Sequence, residues 1–342
     1  MNIKQIFNLG IDLAIAADPR GEAGVKKYLA RVRKEYEAMS EKSKKYFEME
    51  KLTNPYMDSF IHTDDGSEVK RVLVGIDINA AEILLANELT QRGKKIDLVI
   101  AHHPEGKGQT YLHDVMMMNT DIYEACGIPV HLAEKISEER WLEVEKGVHP
   151  MNHNQAIDIA RLLGVNFINT HTFTDNLVNK FLTDYLNKVK PQTLGDIIDA
   201  LLELPEYQYA QSMGSGPKIV SGRPSHRVGK MLLEMTGGTT PGSKLYQEIS
   251  RFGISTVVGM HMHREIINKA SENQLNVVMA GHMSSDSLGM NLLLDELEKK
   301  GIEIISAGGL IRVSRVKKPV KVNVPAKSSK KPTPKKTIKK RK

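Results

Sequence analysis

The chain has almost no cysteine: Cys126 stands alone among 342 residues. No disulfide framework is open to it, and no cluster of thiolates can close around a structural zinc. Long apolar runs are missing too. Nothing approaches the roughly 20 apolar residues of a membrane-spanning helix. The first apolar stretch is broken by Asn8 and Asp12 and ended by Asp18-Pro19-Arg20-Gly21, unlike a secretory signal. Also absent are a nucleophile elbow, the kinase signatures and a repeat of fixed period. These gaps lead us to expect a cytoplasmic protein with no membrane span.

Acidic residues are missing from one segment only. Between Lys317 and Lys342 there are 12 Lys and Arg and no Asp or Glu, so the formal +7 of the whole chain hides a body in which 36 basic residues face 41 acidic ones. Pro319, Pro325, Pro332 and Pro334, with Ser and Thr between them, leave residues 316–342 no apolar face, and a disordered Lys-rich tail is expected. Its charge suits RNA, DNA or another anionic surface, bound by displacing counterions. A solubilising or tethering tail is the plainer reading.

What is present is a body 40% hydrophobic by composition, long enough for a real core. Residues 1–65 read as a helical N-terminal extension, because Val25, Tyr28, Leu29, Val32, Tyr36 and Met39 recur at helical spacing opposite a face dense in Lys, Arg and Glu. From about residue 69 apolar runs alternate with helical stretches. Strands are predicted at 69–78, 96–101, 128–131, 166–170, 218–221, 256–260, 276–281 and 303–306, and helices at 79–92, 154–163, 176–188 and 284–300. Ser284 or Ser285 is the expected cap of the last helix. The expected fold is α/β, with largely parallel sheets and flanking helices. Residues 66–315 should form two α/β lobes, roughly 66–210 and 211–315, around a metal cleft.

Chemistry enters where strands end. The run 96–101 is followed by His102-His103-Pro104, the run 166–170 by His171 and then Asp175, and the run 276–281 by His282 and then Asp286. In a parallel sheet the carboxyl ends of the strands face the ligand crevice, so these clusters can converge although they are far apart in sequence. Imidazoles and carboxylates without thiolates suit a divalent Zn, Fe, Mn or Co ion. Asp286 can reach back over the strand end and bridge two ions with its two oxygens. His102, His103, Asp175, His282 and Asp286 supply too few donors to saturate two ions, which leaves room for water and substrate. His149 and His153 can add a ligand, close over the site, or simply cap the following helix. His261 and His263, after the strand ending at Met260, stand near the pocket rim as candidate catalytic or supporting groups.

These motifs resemble a known family. Gly75-Ile76-Asp77, then Asp97 to Pro104, His171-Thr172-Phe173-Thr174-Asp175-Asn176, and Gly281-His282 with Asp286 are similar in type and order to those of the Ngg-interacting-factor-three-like proteins, also labelled GTP cyclohydrolase I type 2 or dinuclear metal-centre hexameric proteins. The resemblance runs from about Val69 to Arg315. It implies two metal ions held by His102, His103, Asp175, His282 and Asp286, and a homohexamer. Three features depart from the family pattern. Asp286 stands where the family usually has Glu, the stretch between Pro104 and His171 is longer than usual, and the helical N-terminus and basic tail lie outside the family core.

The expected function is therefore dinuclear metal binding, with hydrolysis of a small anionic substrate: a nucleotide, a phosphoester or a cyclic amide. GTP is the candidate that the family label implies. The competing expectation is a metal-binding scaffold, carrier or regulatory interaction protein without turnover.

Overall fold

The computed structural model describes residues 1–316. The basic tail lies outside the described residues, and with it the expectations of disorder and of a nucleic-acid or anionic-surface partner. Among the described residues nine strands form two sheets. They are β1 (Ser59–Thr63), β2 (Arg71–Gly75), β3 (Leu98–Ala101), β4 (Phe167–Thr170), β5 (Lys218–Ser221), β6 (Lys230–Glu234), β7 (Ile254–Gly259), β8 (Asn276–Met279) and β9 (Glu303–Ser306). The first sheet has the order β1-β4-β3-β2-β9 and the second β5-β8-β7-β6. Within each, one edge strand is antiparallel, β1 on β4 and β5 on β8, and every other pair is parallel.

The central strands read as continuous apolar runs because helices cover both faces of the sheet. In β3 all of Leu98-Val99-Ile100-Ala101 is buried. Parallel pairing aims the carboxyl ends of β2, β3 and β4 the same way, and those of β6, β7 and β8 likewise. The residues just past these ends carry the histidines.

The N-terminal helix Ile3–Ala17 opens on a capping box between Asn2 and Gln5 and buries Ile3, Ile6, Phe7 and Ala14 in the core of the first sheet. Phe7 packs on Phe173, ring centroids 5.0 Å apart, in the helix His171–Val189. Each buried apolar side chain there contributes about 1.5–3 kcal/mol. The helix that bears Asp175 is thus braced by the first helix of the chain.

The structure departs from the predicted elements in places. Residues 128–131 are no strand: Pro129 is the N-cap of the helix Val130–Val148, its fixed φ of −54° suited to a helix start. Strands β1 and β6 were not predicted, since Ser-Phe-Ile-His-Thr and Lys-Met-Leu-Leu-Glu are short and lack clean alternation. The last long helix is His282–Lys299, and its N-cap is Gly281 at φ 116°, not Ser284 or Ser285. Both serine hydroxyls instead donate back to the Gly281 carbonyl.

The helices His171–Val189 and His282–Lys299 cross where Gly289 meets Thr174. A Cβ on Gly289 would lie 2.3 Å from the Thr174 carbonyl oxygen, so the two backbones approach more closely than a side chain permits. Gly289→Ala is expected to lower stability by about 1–3 kcal/mol, the usual cost of overpacking, read as a lower denaturation midpoint. An unchanged midpoint would show that this crossing has slack.

Candidate metal centre

His171 and His282 are the first residues of two helices that directly follow β4 and β8. Asp175 and Asp286 stand four residues on, one turn along the same helix faces. His102 and His103 follow β3 on the chain segment whose amides donate to the Gly75 and Ile76 carbonyls past β2. The two packed helices and the end of β3 therefore bring His102, His103, His171, Asp175, His282 and Asp286 together. His102, Asp175 and Asp286 are buried, at 1%, 5% and 1% exposure.

Hydrogen bonds decide which imidazole nitrogen faces inward. The Thr174 hydroxyl donates to the Thr170 carbonyl at 3.0 Å, so its oxygen accepts from His102 Nδ1–H at 2.9 Å. Asp77 accepts from His103 Nδ1–H at 2.7 Å, and Asp58 from His171 Nδ1–H at 2.7 Å. Asp58 is fully buried and also accepts from the Thr172 hydroxyl at 2.6 Å. With Nδ1 protonated and held, each neutral ring presents its Nε2 lone pair to the shared space, the usual way in which outer carboxylates orient ligating histidines.

The inward atoms fit divalent cations. Oδ1 of Asp175 and both oxygens of Asp286 are buried without a hydrogen-bond partner. His102 Nε2 lies 3.6 Å from Asp175 Oδ1 and 3.6 Å from Asp286 Oδ1. On the other side His103 Nε2, His282 Nε2 and Asp286 Oδ2 are mutually 3.2–3.5 Å apart. Donors around a tetrahedral ion with bonds of about 2.0–2.2 Å sit roughly 3.3–3.6 Å from one another. Within a looser 4.8 Å grouping His171 joins His102 and Asp175, while His102 and His103 also join Asp286. A single Nε2 lone pair cannot serve two ions, so the shorter separations decide the sorting.

Burial shapes the protonation states of the metal-free cluster. It lowers His102 well below the usual imidazole range, helped by the neighbouring His171 and His103, and it lowers His282. Burial also raises Asp175 to about 8. His103 is held up at about 10, because Asp286 and Asp77 overcome the burial that alone would lower it.

The cluster opens into a cleft of about 430 Å³ whose wall includes Thr236, Thr239, Thr240, Met260 and His261, from the segments that follow β6 and β7 of the second sheet. His261 shares a 3.0 Å hydrogen bond between its Nδ1 and the Thr240 hydroxyl, and its ring centroid lies 4.4 Å from that of His282. Burial lowers its pKa to about 4. His263 is exposed at the start of the helix Arg264–Glu272 and does not line the cleft. His149 is exposed at the end of the helix Val130–Val148, and His153 is paired through Nδ1 with Gln109. Neither joins the cluster.

Sequence reasoning passed over Asp58 and Thr174 as supports and left His171 outside its ligand set. Asp58 lies in a loop before an unforeseen strand and carried no signal. His171 did carry one, its place at a strand end with an acid four residues on.

The metal-free protein should lose stability as pH rises from about 7 to 8. In that window the unfolded chain has released the Asp175 proton and is releasing that of His103, while the fold retains both, so folding is progressively penalised. His102 and His282, with lowered values, oppose this near pH 6.5, where the unfolded imidazoles still hold protons that the fold has lost, and contribute little as pH approaches 8. Thermal denaturation across this range should show a falling midpoint, shallower in Asp175→Asn and relieved by saturating Zn or Mn. A midpoint that rises in the metal-free protein would contradict the assignment.

No family model and no curated protein matches the chain. Among solved structures it is similar to a NIF3 superfamily protein from Sphaerobacter thermophilus, at 27% identity and a TM-score of 0.66, covering 74% of this chain and 92% of that one. It is also similar to reduced HcgD from Methanocaldococcus jannaschii, at 15% identity and a TM-score of 0.47, covering 72% and 87%. In its fold and in the order of its histidine and carboxylate motifs, the chain is similar to the NIF3 superfamily proteins.

Proposed function

We propose that this chain binds two divalent ions, drawn from Zn, Fe, Mn and Co, and is a metal-dependent hydrolase of a nucleotide, a phosphoester or a cyclic amide. The observation that carries this reading is Asp286: buried, without hydrogen bonds, and facing His102 with one oxygen and His103 and His282 with the other. One ion would be held by His102, Asp175 and Asp286 Oδ1, the second by His103, His282 and Asp286 Oδ2. Bound there, the ions would supply Lewis acidity toward a phosphoryl or carbonyl oxygen and make nearby water more acidic.

The chain's own residues prepare the site. Asp77 and Thr174 keep the two histidines in the ligating tautomer. Across the cleft, Thr239 offers a hydroxyl donor to an anionic substrate, whereas the Thr236 hydroxyl already donates to Asn176 Oδ1. His261, oriented through Thr240, is the better candidate of the two rim histidines to hold or pass a proton, since His263 is outside the cleft. A carrier or scaffold would be better served by donors closed on all sides, so the open cleft favours turnover. A homohexamer and a cytoplasmic location complete the reading, the first supported by the family resemblance and the second by the lone cysteine.

Asp286→Ala should lose both ions and all hydrolysis, and His282→Ala chiefly one ion, while circular dichroism stays native. Asp77→Ala, which frees His103 without removing a donor, should weaken metal affinity about 10- to 100-fold. Elemental analysis and a hydrolysis screen over nucleotides and phosphoesters read these outcomes. Full metal occupancy in Asp286→Ala would remove the bridging role. A fully loaded protein that turns over nothing in a broad screen would favour the scaffold.

A further inference from the structure

Away from the cleft, an open groove of about 1360 Å³ runs between the helices Gly21–Ala38 and Val130–Val148. Both belong to segments outside the family pattern, the N-terminal extension and the long stretch after Pro104. Tyr28, Val32, Phe47, Met117 and Trp141 give it an aromatic and apolar lining. Charged residues also line it, and most are already paired. Arg31 lies 3.8 Å from Glu35 and over the Tyr28 ring, and Lys51 pairs with Asp114. Glu134 and Glu138 are exposed and have no hydrogen bond or ion pair among the described residues. They stand one helical turn apart, where like charges repel.

Two free carboxylates over an aromatic lining form a receptor for alkylammonium groups. The carboxylates take the charge, the Phe47 and Trp141 rings attract the cation, the Tyr28 ring being already flanked by Arg20 and Arg31, and the apolar lining accepts the methylene stems of lysine. The same chain holds such a ligand. Lys317 to Lys342 contains 12 Lys and Arg and no acid. Fully extended, these 26 residues reach about 90 Å, against a radius of gyration near 20 Å for a folded body of this size, so the groove is within reach wherever it lies. Covalent attachment gives the tail a high effective concentration, so individually weak pairs suffice. We propose that the groove is the docking site of the chain's own Lys-rich tail, with Glu134 and Glu138 as its charge partners and Tyr28, Phe47 and Trp141 as its aromatic lining.

Trp141 is the only tryptophan in the chain, so its fluorescence reports on this groove alone. At low salt, the full chain should show Trp141 less accessible to a neutral quencher than a chain ending at Val316. The difference should not depend on protein concentration and should vanish at high salt. A synthetic 317–342 peptide added to the shortened chain should restore protection saturably, and at least several-fold more weakly to Glu134→Gln/Glu138→Gln. Both side chains are exposed, so the double variant should keep its fold by circular dichroism. Equal quenching in the full and shortened chains overturns the proposal. So does equal peptide binding to the double variant, or protection that grows with protein concentration and marks a contact between molecules. Tail-dependent binding of RNA or DNA with no change at Trp141 would assign the tail to nucleic acid instead.

Discussion

Asp286 is the constraint around which the site is built. Its carboxylate is buried, neither oxygen has a hydrogen-bond donor, and three imidazole nitrogens lie 3.2–3.6 Å away. A carboxylate taken out of water without a partner costs several kcal/mol. Such a group persists only where something else bears the charge: the protonated His103 does so in part in the metal-free cluster, and with neutral histidines a metal cation would be the natural counterion. The close crossing of two helices at Gly289 and Thr174 holds this arrangement in place. Each helix opens with a histidine and presents an acid one turn later, so two copies of one local pattern, packed together, make a centre that neither makes alone.

Around that core the structure orients what it has brought together. Thr174, whose carbonyl oxygen touches Gly289, also uses its hydroxyl to fix the tautomer of His102. The bracing of this helix by Phe7 and Phe173 draws the first helix of the chain into the support of the histidine and carboxylate cluster. Packing and site geometry are therefore coupled, and changes remote from the donors are expected to reach them.

Much of this could be read from the sequence, for a physical reason. Parallel strands must be apolar along their length and must end on the crevice side, so runs such as Leu98 to Ala101 followed by His-His-Pro announce both the sheet and the site. The parts that could not be read depend on tertiary partners. Strand β1 is ordered by pairing with β4 across more than a hundred residues, and Asp58 gains its role only because that pairing delivers it to His171. The start of the helix after β8 was misjudged because Gly281 adopts a positive φ that lets His282 begin the helix at once. Thr174 stands in the motif with no role legible from the sequence, since its hydroxyl matters only relative to His102.

The central claim is that one cluster holds two ions bridged by Asp286. The direct measurement is anomalous diffraction from crystals of the metal-loaded protein at the absorption edge of the bound metal. Two peaks are expected, one among His102 Nε2, Asp175 and Asp286 Oδ1, the other among His103 Nε2, His282 Nε2 and Asp286 Oδ2. A single peak between the two donor sets, or none at full loading, would contradict it.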